Sequence, residues 1–275
     1  MPCAAPESTR SPQPRVASRA PFLVVLLVLG ASLSACLTPA LPPPYRAAPN
    51  YRVRFADLET ITLVPPLVAV YSMSSGDIEQ EIQEWSDQAN RNSVASVRAE
   101  VEKMGKRFVP FAGSRGPRPD FRMGIADDVN ARREPSPAAD SWLLFEASKE
   151  AILRHTYDPL VTFPAMMKGF DYTLGREADA LLSGTEADAF LLVIATDEVP
   201  TADRQALVGV GAAAALYTGS YAGPGATPAE VIVALVESTS GDILWFNKVS
   251  MPIADLRNPD SNAALIEKVL KGMNQ

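Results

Sequence analysis

Apolar residues recur at helical spacing over residues 76–104, with Ile78, Ile82, Trp85, Ala89, Val97, Val101 and Met104 in one stripe and charged residues between them. That spacing predicts an amphipathic helix laid on a core. Ser74, three residues before Asp77, reads as a partial capping box, and Gly105 stands where such a helix stops. A second helical pattern covers residues 141–157, with Trp142, Phe145 and Ile152 on one side, Leu144, Ala151 and His155 beside it, and Asp140 as its N-cap. A short helix is predicted over residues 173–183 through Leu174, Ala178, Leu181 and Leu182. A last one follows Asp260 as cap, with Ala264, Leu265, Val269 and Leu270 turned inward.

Between the helices lie runs with strand character. Residues 61–64 (Ile-Thr-Leu-Val) are β-branched and stop at Pro65-Pro66, and residues 67–71 read as a continuation. Further strands are predicted over residues 107–111, 160–163 and 189–196, the last an almost unbroken apolar run of the kind found in a central strand. Residues 229–237 and 242–250 form a hairpin closed by Ser238-Thr239-Ser240-Gly241, with glycine at the turn. The pattern predicts an α/β (α+β) fold: a mixed sheet of about five strands covered by amphipathic helices, ending in a β-hairpin and a helix. Residues 112–138, with glycine-proline clusters, arginines and Asp127-Asp128, read as a surface excursion.

Residues 206–217 break the pattern, because they carry no charge and consist mostly of Ala, Val, Gly and Leu. Twelve such residues are too few to cross a bilayer as a helix, for which about 20 are needed. Gly209/Ala213 and Gly211/Ala215 have the small-xxx-small spacing that lets helices approach closely. Burial against the domain or against another subunit is expected.

The N-terminal 35 residues have the order of a secretory signal: Arg10, Arg15 and Arg19, then the apolar run from Phe22 to Leu29, then small residues. They end in Leu33-Ser34-Ala35-Cys36, which resembles the lipobox of bacterial lipoproteins at all four positions. The resemblance implies cleavage before Cys36, a diacylglyceryl group on its sulfur and acylation of the new amine. Leu37 in place of aspartate implies outer-membrane rather than inner-membrane placement. Pro39, Pro42, Pro43, Pro44 and Pro49 then predict an extended spacer. The expected organisation is a signal peptide over residues 1–35, a lipidated Pro-rich tether over 36–50 and one periplasmic α/β domain over 51–275.

Cleavage would remove Cys3 and leave Cys36 as the sole cysteine, so no intrachain disulfide could form. It would also take away three arginines and one glutamate, leaving 22 basic and 31 acidic residues and a net charge of −9, against −7 for the whole chain. That balance argues against a nucleic-acid partner.

No strong catalytic signature appears. His155 is the only histidine, and with no second imidazole and no free thiol no metal site is expected. No Gly-x-Ser-x-Gly elbow and no phosphate loop accompanies it. Asp197 and Glu198 follow the apolar strand, at a strand end where α/β sites often lie, and with His155 they are the candidate site residues. No cofactor is expected.

The order of elements resembles a group of small periplasmic lipoproteins. The residues that carry the resemblance are Val64-Pro65-Pro66 after a strand, a long helix with Trp85, Ala187-Asp188-Ala189 leading into an apolar strand, and Thr239-Ser240-Gly241-Asp242-Ile243-Leu244-Trp245 in a hairpin. The curli-export lipoproteins and the N-terminal domain of the Tol-system propeller protein share this plan. The likeness would cover residues 59–273, while the inserts at 112–138 and 200–228 depart from it and take support from a pore-forming role. It implies a non-enzymatic protein in envelope assembly or export that binds a protein partner or forms a homo-oligomer. The competing expectation is a periplasmic hydrolase acting through carboxylates such as Asp197 and Glu198.

Overall fold

The computed structural model describes residues 44–274, apart from 77–78, 113–136, 159, 161–168, 183, 221–222, 226 and 253. Its centre is the strand β6, Ala189–Pro200, whose apolar residues are buried on both faces. Phe190, Leu192 and Ile194 enter one apolar cluster, while Leu191, Val193 and Ala195 enter the other. A strand covered on both sides has no reason to alternate apolar with polar residues, which explains the unbroken run in the sequence.

On one edge of β6 lie β2 (Thr60–Leu63) and β3 (Leu67–Met73), both parallel to it. They are one strand interrupted: Leu63 is opposite Leu191 and Leu67 opposite Ile194, so Val64-Pro65-Pro66 inserts one extra residue into the pairing. Proline has no N–H to give to a ladder, and the interruption sits at the pair of prolines. β5 (Arg107–Val109) runs parallel outside β2. On the other edge β7 (Ala229–Glu237) and β8 (Ile243–Met251) form the expected hairpin, antiparallel to β6.

Among the described residues two short strands bring the sheet to eight, where about five were expected. β1, Arg46–Ala47, pairs with the outer edge of β8, so the last residues of the predicted tether belong to the sheet. Tyr45 stacks on the buried Trp245 beside it, with ring centroids 5.9 Å apart. β4, Glu79–Glu81, pairs antiparallel with β3 in residues expected to be helical. Ile78 and Ile82 are four apart, a spacing that fits periods of both 3.6 and 2, and the open edge of β3 decides for the strand. Neither short strand has a hydrophobic period of its own to announce it.

The long helix α2 therefore starts later than predicted and spans Gln83–Lys103, with no side-chain cap at Ile82. Its Ala89, Val97 and Val101 are buried as the stripe requires. The short α1 (Tyr51–Asp57) and the C-terminal α6 (Pro259–Leu270) pack with α2 on the same face of the sheet. The N-cap of α6 is Asn258, whose side chain accepts from the N–H groups of Asp260 and Ser261, two residues before the cap expected at Asp260. The opposite face is covered by α3 (Pro137–Ile152), which continues into a π-helical turn at Leu153–Tyr157, and by the short α4 (Asp179–Leu182) after a 3-10 turn. Asp140 lies inside the first turn of α3 and not at a cap. Residues 161–163 of the predicted strand at 160–163 and most of the 112–138 excursion lie outside the described residues, as do the whole of 1–35 and Cys36; Leu160 itself is an exposed turn residue.

Between β6 and β7 stands α5, Ala202–Thr218. It is a helix over the uncharged segment, but burial against the domain, one of the two expectations for it, is not what occurs. Only Arg204 and Gly211 are buried, while Val210, Leu216 and Tyr217 are 66%, 87% and 92% exposed.

Candidate functional site

The C-terminal ends of the parallel strands β3 and β6 open into a cleft of about 390 Å³. Strand ends of this kind are where α/β sheets leave space for ligands, because the connections that follow diverge. Met73, Val199 and Pro200 form the strand side, Arg204, Gln205 and Val208 of α5 form one wall, and Pro252, Ala254, Asp255 and Arg257 of the β8–α6 loop form the other. Asp197 and Glu198 both border it.

Asp197 is 3% exposed. Its Oδ2 accepts the backbone N–H of Leu256 at 2.9 Å. Burial pushes its pKa above the ordinary carboxylate value, and the Asp255 charge adds to this, against the opposing pull of the hydrogen bond from Leu256 and the charge of Arg257. Among the described residues it makes no ion pair. Being consecutive on a strand, Asp197 and Glu198 leave the sheet on opposite faces; Asp197 takes the side of α2 and α6.

The loop that Asp197 holds is fastened from three further points. Asn92 donates to the carbonyls of Leu256 at 3.1 Å and Arg257 at 2.9 Å. Asn262, fully buried, donates to Leu256 O at 3.2 Å and to Ser93 Oγ at 3.0 Å. Arg257 is bidentate to Asp255, with contacts of 2.9 and 2.8 Å, and its guanidinium lies 4.4 Å from the centre of the Trp85 ring. This geometry keeps the Asp255 carboxyl below its usual range, chiefly through the Arg257 bonds.

The first turn of α5 is tied to the β3–β4 turn. Thr201 donates its N–H and hydroxyl to Met73 O at 2.9 and 3.0 Å. Asp203 accepts the Ser75 N–H at 3.0 Å, and bonds from Ser75 and Thr201 hold its carboxyl well below the ordinary value. Arg204 donates to Ser74 O and Gly225 O, both at 3.2 Å. These bonds fix where α5 begins and leave the rest of the helix standing off the sheet.

His155 does not join this cleft. It sits in the π-helical turn on the other face of the sheet, its Nδ1 3.2 Å from the Tyr172 hydroxyl. The same turn takes the guanidinium of Arg46 on Thr156 O and over the Tyr157 ring, which fastens the start of the domain to it. Among the described residues no three His, Cys, Asp or Glu side chains gather as a metal-binding group. The residues that sequence reading missed are Arg204, Asp255, Arg257, Asn92 and Asn262. Arg204 carried a faint signal as the last charge before an uncharged run that continues to Glu230. The buried amides of Asn92 and Asn262 carried none.

Comparison of the chain with protein-family models, with curated proteins and with solved structures finds no match.

Proposed function

We propose that this chain is an envelope lipoprotein, held on the periplasmic face of the outer membrane by acyl chains on Cys36, whose α/β domain assembles with a second copy of itself through α5 in envelope assembly or export. The observation that carries the reading is α5: a helix with no charge from Ala206 to Thr218 whose large apolar residues point into solvent. Apolar surface concentrated on one projecting element marks an interaction site. A lipid surface suits it less than protein does, since interfacial helices combine an apolar face with a basic one, and α5 has no basic residue after Arg204. No described helix is long and apolar enough to cross a membrane.

A second copy fits for two reasons. The chain is acidic overall, with a net charge of −7, and an uncharged helix is where two such copies meet without like-charge repulsion. Gly209 and Ala213, four apart and both exposed, also let two identical helices come close. A 17-residue helix offers a strip about 25 Å long and one helix wide. That is on the order of 250 Å² per copy, well below the roughly 800 Å² of a standard stable interface. Association through α5 alone is therefore weak in dilute solution, and confinement by lipid in one plane supplies the effective concentration it needs. The carboxylate-hydrolase reading has less to rest on: Asp197 and Glu198 border one cleft, but the Asp197 carboxylate is engaged by the Leu256 N–H and His155 lies elsewhere.

The processed chain would carry no free thiol, so a single introduced cysteine reports its own neighbourhood. Val210→Cys on α5 is expected to give a disulfide-linked or bismaleimide-linked dimer in isolated membranes, while Val53→Cys, equally exposed on α1, gives little. Adding Leu216→Glu should abolish the Val210→Cys product. Equal cross-linking at the two positions would remove the basis of the proposal.

A further inference from the structure

The cleft at the end of β6 shares one wall with the start of α5, and its lining carries a feature that holding a loop does not require. Asp197 holds the β8–α6 loop by accepting the Leu256 N–H. An asparagine could accept that bond without placing an ionisable group in the wall of an apolar cleft, where a carboxylate is costly unless a counter-charge meets it. The protein supplies hydrogen bonds but no ion pair to Asp197 among the described residues, and it spends the nearby Arg257 on Asp255 and on the Trp85 ring. Arg204 donates to the carbonyls of Ser74 and Gly225.

Among the described residues, the charged groups facing the cleft are three carboxylates, Asp197, Glu198 and Asp255, and two guanidiniums, Arg204 and Arg257. An anion entering would meet more acid than base. A cation would find in Asp197 the one buried carboxyl of the wall. Apart from Gln205 and Thr227, the rest of the lining, including Met73, Val199, Val208 and Pro252, carries no polar side chain. A volume of about 390 Å³ falls at the lower end of the range typical of small-molecule pockets.

We propose that this cleft binds a small organic ammonium ion, its charged nitrogen against Asp197 and its apolar body against Met73, Val199, Val208 and Pro252. Binding of this kind couples to the carboxyl's own titration. The ammonium favours the ionised Asp197, so affinity is full where that group is deprotonated and falls as pH drops through its raised pKa. Glu198, Asp255, Arg204 and Arg257 contribute to the same field but are more exposed or already bonded. Val208, at the edge of α5, is the side chain through which the cleft can be filled from outside without touching a charge.

The test uses the processed chain, residues 36–275, carrying Cys36→Ser so that no detergent competes for the probes. Three probes of similar shape and different charge are titrated by calorimetry at neutral pH: 2-phenylethylammonium, 2-phenylethanol and 3-phenylpropionate. The expected result is that the ammonium binds at least tenfold tighter than the alcohol, and that the carboxylate does not bind measurably. Asp197→Asn should bring the ammonium down to the level of the alcohol. Val208→Trp should abolish binding of both while leaving the far-ultraviolet circular dichroism unchanged, and it decides the matter if Asp197→Asn does not fold. Equal affinity for the three probes, no binding of any, or undiminished ammonium binding in Val208→Trp would overturn the proposal.

Discussion

Replacing Gly241 by alanine tests whether the β7–β8 turn is held by its own conformation or by what packs against it. Gly241 has φ of +74°, in the left-handed region, and a Cβ there would lie 1.9 Å from the carbonyl oxygen of Gly175. The conformation alone costs an L-residue about 1–2 kcal/mol. The clash adds to it, because the turn and the 172–175 segment must part, and two backbone bonds join them: Leu174 N–H to Gly241 O at 2.8 Å and Ile243 N–H to Tyr172 O at 2.9 Å. At about 1 kcal/mol for each bond lost, Gly241→Ala is expected to destabilise the domain by about 3–4 kcal/mol in total. For a domain of this size that is a fall in Tm of roughly 6–16 °C. Gly184→Ala is the control: its φ is +82° but no atom lies within 4 Å of the added Cβ, so it carries the conformational cost alone. Urea unfolding followed by tryptophan fluorescence measures both. A Gly241→Ala variant within about 0.5 kcal/mol of Gly184→Ala would refute the packing argument, since two independent sites otherwise compare cleanly at that margin.

Two titratable sites give expectations of opposite sign. Arg54 bonds Glu237 at 3.1 and 2.5 Å and Asp242 at 2.9 Å. Glu237 is held below its ordinary pKa mainly by that arginine; for Asp242, burial works the other way and is outweighed by the bonds from Arg54, Thr173 and Ser240. Their stabilisation is present above the unfolded carboxylate values near 4 and is lost as pH falls through the lower folded ones. Arg54→Met should cost about 1–3 kcal/mol at pH 7, with solvent screening favouring the low end, and the gap should close in acid; a gap constant from pH 7 to pH 2.5 in chemical denaturation contradicts this. Asp197, with its pKa raised, behaves in reverse: stability falls as pH rises from the unfolded value to the folded one. Asp197→Asn should abolish that fall and keep the Leu256 bond, whereas Asp197→Ala should cost about 1–3 kcal/mol more by leaving the Leu256 N–H unpaired. Equal destabilisation by the two variants, measured across pH, would show that the bond does not hold the loop.

Sequence alone determined what repeats along the chain. The apolar run at Phe190–Ala195 told that β6 is covered on both faces, the stripe of Ala89, Val97 and Val101 told which side of α2 is buried, and Gly241 marked the hairpin turn. Periodicity is a local property, set by where successive side chains point, so it survives in one dimension. Tertiary structure alone decided three things. It recruited Arg46–Ala47 and Glu79–Glu81 as edge strands, because open sheet edges pair with whatever backbone passes near. It left α5 standing in solvent, where an uncharged sequence by itself reads as buried. It also brought Asp197 and Glu198 together with Arg204, Asp255 and Arg257 around one cleft, residues up to sixty apart, while keeping His155 away. Which side chains share a cleft depends on how distant strand ends and loops converge, and no spacing along the chain encodes that.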